Sequence, residues 1–121
     1  LVPYSPLGRG FLTGGVRPGT IPDGDWRAKL VRFSGEAGEA NFRLVAALEG
    51  IARDKGCTTA QLALAWVMHQ GEDVVPIPGT RRLDRLEENI AGAELALTAD
   101  DLAAIEAAFP AEAVVGGPYW A

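Results

Sequence analysis

The stretch Val74-Val75-Pro76-Ile77-Pro78-Gly79-Thr80-Arg81-Arg82-Leu83-Asp84-Arg85-Leu86-Glu87-Glu88-Asn89 constrains this chain most. Its order predicts a short buried strand, a Pro-Gly turn and a helix. Three arginines fall in the turn and the first helical turn. A helix N-terminus carries partial positive charge, so carboxylates are favoured there and cations are not. The other helices predicted below obey that preference: one ends near Arg53 and Lys55, another begins with Asp100 and Asp101. The exception points to an anion at the turn, where free N–H groups and the dipole already attract one. Guanidinium groups suit phosphate, because their fork of donors matches its oxygens. The alternative is a solvated helix start whose arginines are offset by Asp84, Glu87 and Glu88.

With 121 residues, the chain holds one domain at most. Its net charge of −5 argues against a general nucleic-acid binder, which would carry a basic surplus. The arginine cluster is therefore a local site and not an overall field. Cys57 is the single cysteine, which excludes an internal disulfide and a cysteine metal cluster. There is no apolar run of membrane-spanning length and no signal peptide, so the expected setting is a reducing cytoplasm. The chain opens at Leu1, not Met, directly on strand-like residues. A piece of something longer is expected.

Taken in order, Leu1 to Tyr4 has strand character, ended by Ser5-Pro6. Gly8, Gly10 and Gly14 follow in a turn that resembles the dinucleotide fingerprint, but the last gap is one residue too long. Residues 16–40 are rich in Gly, Pro and charge, without a period. They read as a long loop, either a binding loop or lid or a disordered segment, with a short helical turn near Asp25 to Leu30. Asn41 caps a predicted helix to about Lys55, with Phe42, Val45, Leu48, Ile51 and Ala52 on one face and Gly56 at its end. Thr58 or Thr59 starts a second, deeply buried helix to about Gln70, in which Trp66 and Met68 read as core packing. The strand Val74 to Ile77 and the arginine helix to about Gly92 come next. Pro76 is awkward in a central strand, because it cannot donate a ladder hydrogen bond. Thr98 caps a last helix carrying Leu102, Ile105, Ala108 and Phe109, stopped by Pro110. Residues 111–121 read as an irregular tail.

Strand–helix–strand units make parallel sheets. Ligands in such sheets sit at the carboxyl ends of the strands. Both glycine-bearing turns, after Tyr4 and after Ile77, fall there. Two anion-competent turns on one rim predict a single extended, phosphate-bearing ligand.

At these turns the chain resembles an aldo-keto reductase. The likeness begins with Tyr4-Ser5-Pro6-Leu7-Gly8-Arg9-Gly10 and passes through Thr59-Ala60-Gln61-Leu62-Ala63-Leu64-Ala65-Trp66. It continues with Ile77-Pro78-Gly79-Thr80 and Leu86-Glu87-Glu88-Asn89, and ends with Leu97-Thr98-Ala99-Asp100-Asp101-Leu102. The resemblance implies an α/β fold: the C-terminal fragment of a (β/α)8 TIM barrel, with two parallel strands (seven and eight) and about four helices. It also implies NADPH as cofactor. By that likeness Tyr4 would stack on the nicotinamide, and Ser5, Leu7, Gly8 and Gly10 would hold the pyrophosphate. Gly79, Thr80, Arg81 and Arg85 would surround the adenosine 2′-phosphate. Glu88 and Asn89 would contact adenine. NADPH is preferred to NADH on the strength of Arg81 and Arg85.

The family's catalytic Tyr, Lys, Asp and His lie on earlier strands, so no catalytic residue is carried over to this chain. His69 reads as structural. Tyr119 does not match the catalytic motif, and Pro118 stands before it where the family ending usually has Arg. The expected function is the NADPH-binding part of a reductase of small carbonyl substrates, inactive alone. The alternatives are a non-catalytic regulatory subunit, as in the potassium-channel β-subunits that share this barrel, and a truncated remnant. Two strands with unpaired edges also predict that the isolated chain is marginal or aggregation-prone.

Overall fold

A computed structural model describes residues 1–117. Pro118 and Tyr119 of the tail lie outside the described residues. Four α-helices carry the fold: α1, Gly35–Lys55; α2, Thr59–Met68; α3, Leu83–Ala93; and α4, Ala99–Ala108. No helix among the described residues is long and apolar enough to cross a membrane.

Local chemistry sets most of the helix ends. Thr58 caps α2, accepting from the Gln61 N–H at 3.2 Å, while the Gln61 side chain accepts from the Thr58 N–H at 3.0 Å. Thr98 and Asp101 make the same reciprocal pair at the start of α4. α1 ends at Gly56, whose φ of 74° closes the helix with its N–H directed at the carbonyls of Ala52 and Arg53. The start of α1 differs from expectation. Ser34 occupies the cap position, and Asn41 sits a turn and a half inside the helix, buried. Its amide clamps distant backbone instead. Nδ2 donates to the carbonyls of Arg32 and Val115, and Oδ1 accepts from the Val115 N–H at 2.8 Å. An asparagine that satisfies three backbone groups in a buried place serves better there than as an exposed cap.

Residues 16–40 also differ from a plain loop. They contain short 3-10 turns at Trp26–Lys29 and Val31–Phe33, and their last residues already belong to α1. Leu30 and Phe33 are buried and build a core cluster with Phe11 and Val45. The Phe11 and Phe33 rings meet edge-on at 5.0 Å. Gly38 makes this possible. A Cβ there would lie 2.7 Å from the Phe33 carbonyl carbon, so only glycine lets α1 press against that turn. A second cluster joins Leu48 and Ala52 of α1 to Leu62 of α2 and Ile105 of α4, with Trp66 packed against it. Met68 is half-buried, and His69 forms the exposed C-cap of α2 and no part of its buried face.

In place of the two expected parallel strands, no strand forms among the described residues. Three bonds join the segments. The Leu1 nitrogen donates to the Asp73 carbonyl at 2.6 Å. Val75 N–H donates to Leu1 O at 2.9 Å and Ile77 N–H to Pro3 O at 3.4 Å. Their step of two residues on each side has the spacing of parallel pairing. The next bond in that pattern would run from the nitrogen of residue 3 to Val75 O, and proline has no hydrogen to give. Pro76 lies between the two donors, so its nitrogen faces away from this pairing. The ladder stops for a local covalent reason, yet the two segments still lie side by side.

Candidate functional site

The paired segments bring the two glycine-bearing turns to one cleft of about 510 Å3. This falls within the range of about 300–1,000 Å3 typical of small-molecule sites. From the turn after Tyr4 come Ser5, Leu7 and Gly10. From the turn after Ile77 and the first turns of α3 come Gly79, Thr80, Arg85, Glu88 and Asn89. Tyr4, Gly8 and Arg81 were expected with them but do not line this cleft.

The first turn is held by its own backbone. Gly8 N–H donates to Ser5 O at 2.9 Å, and Gly10 N–H donates to Leu7 O at 3.1 Å. These two amides are engaged inside the turn and are not presented to a ligand. The glycines serve as bends, with φ of 58° and 93°. Ser5 (φ 50°) and Arg9 (φ 58°) share the left-handed region, where side chains are rarely found. Such backbone costs about 1–3 kcal/mol per residue and gathers at functional sites. In the second turn nothing lies within 4 Å of where a Gly79 Cβ would be, so its backbone is open on that side. The Thr80 hydroxyl accepts from the Arg82 N–H at 3.1 Å and fixes the entry to α3.

The three arginines of the second turn separate into different roles. Arg82 forms a two-pronged pair with Asp84, at 3.0 and 2.5 Å. That hydrogen bonding raises the pKa of Arg82 and lowers that of Asp84. Arg81 is exposed and makes no ion pair among the described residues. Arg85 lines the cleft, and its Nη1 donates to Glu88 Oε2 at 2.6 Å. Glu88, the more buried partner, holds the guanidinium at the cleft wall. Gln61 of α2 donates to the Glu88 carbonyl at 3.2 Å, and Gly92 lets α3 approach α2 closely. α3 is thus mounted rigidly behind the cleft.

Sequence reasoning missed Arg9 as a cleft residue. A cation between the two glycines of that turn was the available signal. Among the described residues no group of three His, Cys, Asp or Glu side chains is arranged to hold a metal. What the arrangement offers is an open-sided groove of mixed polar and apolar lining, with arginines from two separate turns and a strained backbone at one end. That is the chemistry of binding an extended anion.

The model of the Aldo/keto reductase family matches residues 1–109. Probable aldo-keto reductase 1 of Glycine max is 43% identical over 120 residues, covering 99% of this chain and 35% of the relative. Aldo-keto reductase yakc of Schizosaccharomyces pombe, whose name specifies NADP(+), is 42% identical over 120 residues, with 98% and 35% covered. The chain therefore spans about a third of the length of these curated relatives. With a family match running from the first paired segment to the end of α4, the chain belongs to the aldo/keto reductase family.

Proposed function

We propose that this chain is the NADPH-holding portion of a (β/α)8 reductase that converts aldehydes or ketones to alcohols. The observation that carries the reading is the shared cleft. Turns some seventy residues apart in sequence line one groove, with Arg85 and Thr80 on one side and Ser5, Leu7 and Gly10 on the other. The name of the Schizosaccharomyces pombe relative supports NADP(H) as the ligand. When bound, NADPH supplies a hydride. The residues of this chain bind and orient it: Arg85 takes the 2′-phosphate, with Arg81 on the exposed turn beside the cleft, Gly79 and Thr80 shape the turn around it, and Glu88 and Asn89 flank adenine. Ser5 and Leu7 line the pyrophosphate end, and Tyr4 forms a face for the nicotinamide. The proton donor and its partners come from residues outside this chain.

The barrel reading draws support from the apolar surface. Leu1, Val2, Val75 and Ile77 are exposed on the paired segments, and Leu83, Leu86 and Ile90 are exposed along α3. On α3 their spacing of three and four residues makes one continuous stripe. Such a surface is what the remaining strands and helices of a barrel would cover.

Equilibrium titration with NADPH and NADH tests the reading. The intact protein should bind NADPH more tightly than NADH, and Arg85→Ala should remove most of that difference. Equal affinity for the two cofactors, or none for either, would overturn it.

A further inference from the structure

A capping box accepts Gln or Glu at its third helical position, because only the side-chain oxygen is used. At position 61 the chain has Gln, and both halves of its amide are engaged. Oε1 accepts from the Thr58 N–H at 3.0 Å and closes the cap of α2. Nε2 leaves the helix and donates to the Glu88 carbonyl of α3, 27 residues further on, at 3.2 Å. A glutamate would have no hydrogen to give there at neutral pH, so the choice of Gln serves the second bond and not the first. The two helices also come close at this place. A Cβ on Gly92 would lie 3.2 Å from Gln61 Cα and 3.4 Å from the Gln61 carbonyl oxygen. Glu88 and Gly92 are one turn apart on the face of α3 turned to Gln61. Arg82, the N-cap of α3, makes no side-chain capping bond, so the crossing bond from Gln61 holds this helix where its own cap does not.

We infer that Gln61 is a positioning residue for cofactor selectivity: it ties α3 to the start of α2 and thereby sets the depth at which Arg85 meets a 2′-phosphate. The inference rests on the proposed reading of the cleft as an NADP(H) site. The path is short. Gln61 fixes the Glu88 backbone, Glu88 Oε2 accepts from Arg85 Nη1 at 2.6 Å, and Arg85 lines the cleft. The Glu88 side chain is 14% exposed and that of Arg85 47%, so the carboxylate is the fixed member of the pair and the guanidinium the guided one. A half-exposed arginine without such a guide spreads over many rotamers, and ordering it on binding costs affinity. Ala60, next to Gln61, is buried and lines the same cleft, so α2 and α3 share its wall. Gln61 does not line it and acts only through α3. NADP+ and NAD+ differ only at the 2′ position. A residue that works through Arg85 therefore changes the ratio of the two affinities. One that only caps α2 changes stability, or both affinities alike.

Calorimetric titration of the intact protein with NADP+ and with NAD+, beside thermal unfolding, tests this. Gln61→Met keeps the side-chain length and loses both bonds. Gln61→Glu keeps the capping oxygen and loses only the donor. Both should lower the preference for NADP+ about 3- to 10-fold, the worth of roughly one hydrogen bond, and leave NAD+ affinity unchanged. In an Arg85→Ala background neither should lower the preference further, because the residue they act through is gone. Should Gln61→Met fail to fold, Gly92→Ala, which crowds the same crossing without adding charge, gives the same pattern. If the preference survives in Gln61→Met while the unfolding temperature falls, Gln61 is a cap alone and the inference is wrong. It is equally wrong if the preference falls only in Gln61→Glu, where the added charge accounts for it, if both cofactors weaken alike, or if the loss adds in full to that of Arg85→Ala. In each of these cases the cofactor site stands. If wild type binds neither cofactor, or both equally, the cofactor reading fails and the inference with it.

Discussion

The starts of α3 and α4 are built on opposite rules. α4 opens with a full reciprocal cap: the Asp101 N–H donates to Thr98 Oγ1 at 3.1 Å, and the Thr98 N–H donates to Asp101 Oδ2 at 2.8 Å. Two carboxylates stand in its first turn, and Lys55 of α1 anchors one of them at 2.5 Å. α3 opens on an arginine with no side-chain cap, between two further arginines. Both helices are short and about equally exposed at this end. The rule for stability is obeyed at the one that only closes the fold and broken at the one that faces the cleft. α3 keeps one carboxylate, Asp84, in its first turn but lacks the N-cap side-chain bond, and such local departures from the stability rule are what functional sites show.

The largest expected effect breaks this contrast on the α3 side. Arg85→Ala should weaken NADPH binding about 10- to 100-fold, in line with roughly 1.5–3 kcal/mol for a hydrogen bond to a charged group. Its exposed pair with Glu88 contributes about 1 kcal/mol or less, so the unfolding free energy should barely move. Binding and urea unfolding of the same variant check both halves. Thr98→Ala should do the reverse, costing about 1 kcal/mol of stability and leaving cofactor affinity unchanged.

A smaller effect comes from making α3 resemble α4. Arg82→Ser supplies a capping hydroxyl at the N-cap position and should raise stability by up to about 1 kcal/mol. Because Arg82 is already spent on Asp84, NADPH affinity should fall less than in Arg85→Ala. A fall as large as that of Arg85→Ala would show that the arginines act as one field.

The smallest effect is in acid. The Lys55 hydrogen bond, followed by those from Thr98, lowers the pKa of Asp101 to about 2. Its folded pKa is below the unfolded value near 3.9. The stability it contributes is therefore complete above about pH 4 and lost as pH falls toward 2. Acid unfolding of Lys55→Met should begin at higher pH than wild type. No corresponding shift is expected from Arg81→Met, since Arg81 makes no ion pair among the described residues.

Much of the fold could be read ahead of the structure because it is local. The Thr98 cap, the Gly56 terminus and the apolar faces of α1 and α4 depend on residues three or four positions apart. The arginine turn was visible for the same reason, as a conflict between charge and dipole within a few residues. Other features were hidden by distance along the chain. Asn41 looked like a cap, because asparagine before an apolar period usually is one. Only the tail at Val115, folded back on α1, explains why it lies inside a helix. Residues 16–40 looked like a loop, because Leu30 and Phe33 are isolated in a polar stretch, and their burial depends on meeting Phe11 and Val45.

By itself, the sequence determined the Thr98 cap, the Gly56 terminus and the conflict between charge and dipole at the start of α3. These follow from hydrogen-bond chemistry and dihedral limits within a few residues. Tertiary structure alone decided which arginines meet in the cleft. Arg85 turns inward because Glu88 holds it on a helix packed against α2, while Arg82 is captured by Asp84 and Arg81 is left outside. It also decided that Arg9 joins them, because its backbone is fixed by a side chain eighteen residues away. Side-chain direction at a site depends on partners brought by packing, and sequence spacing does not encode that.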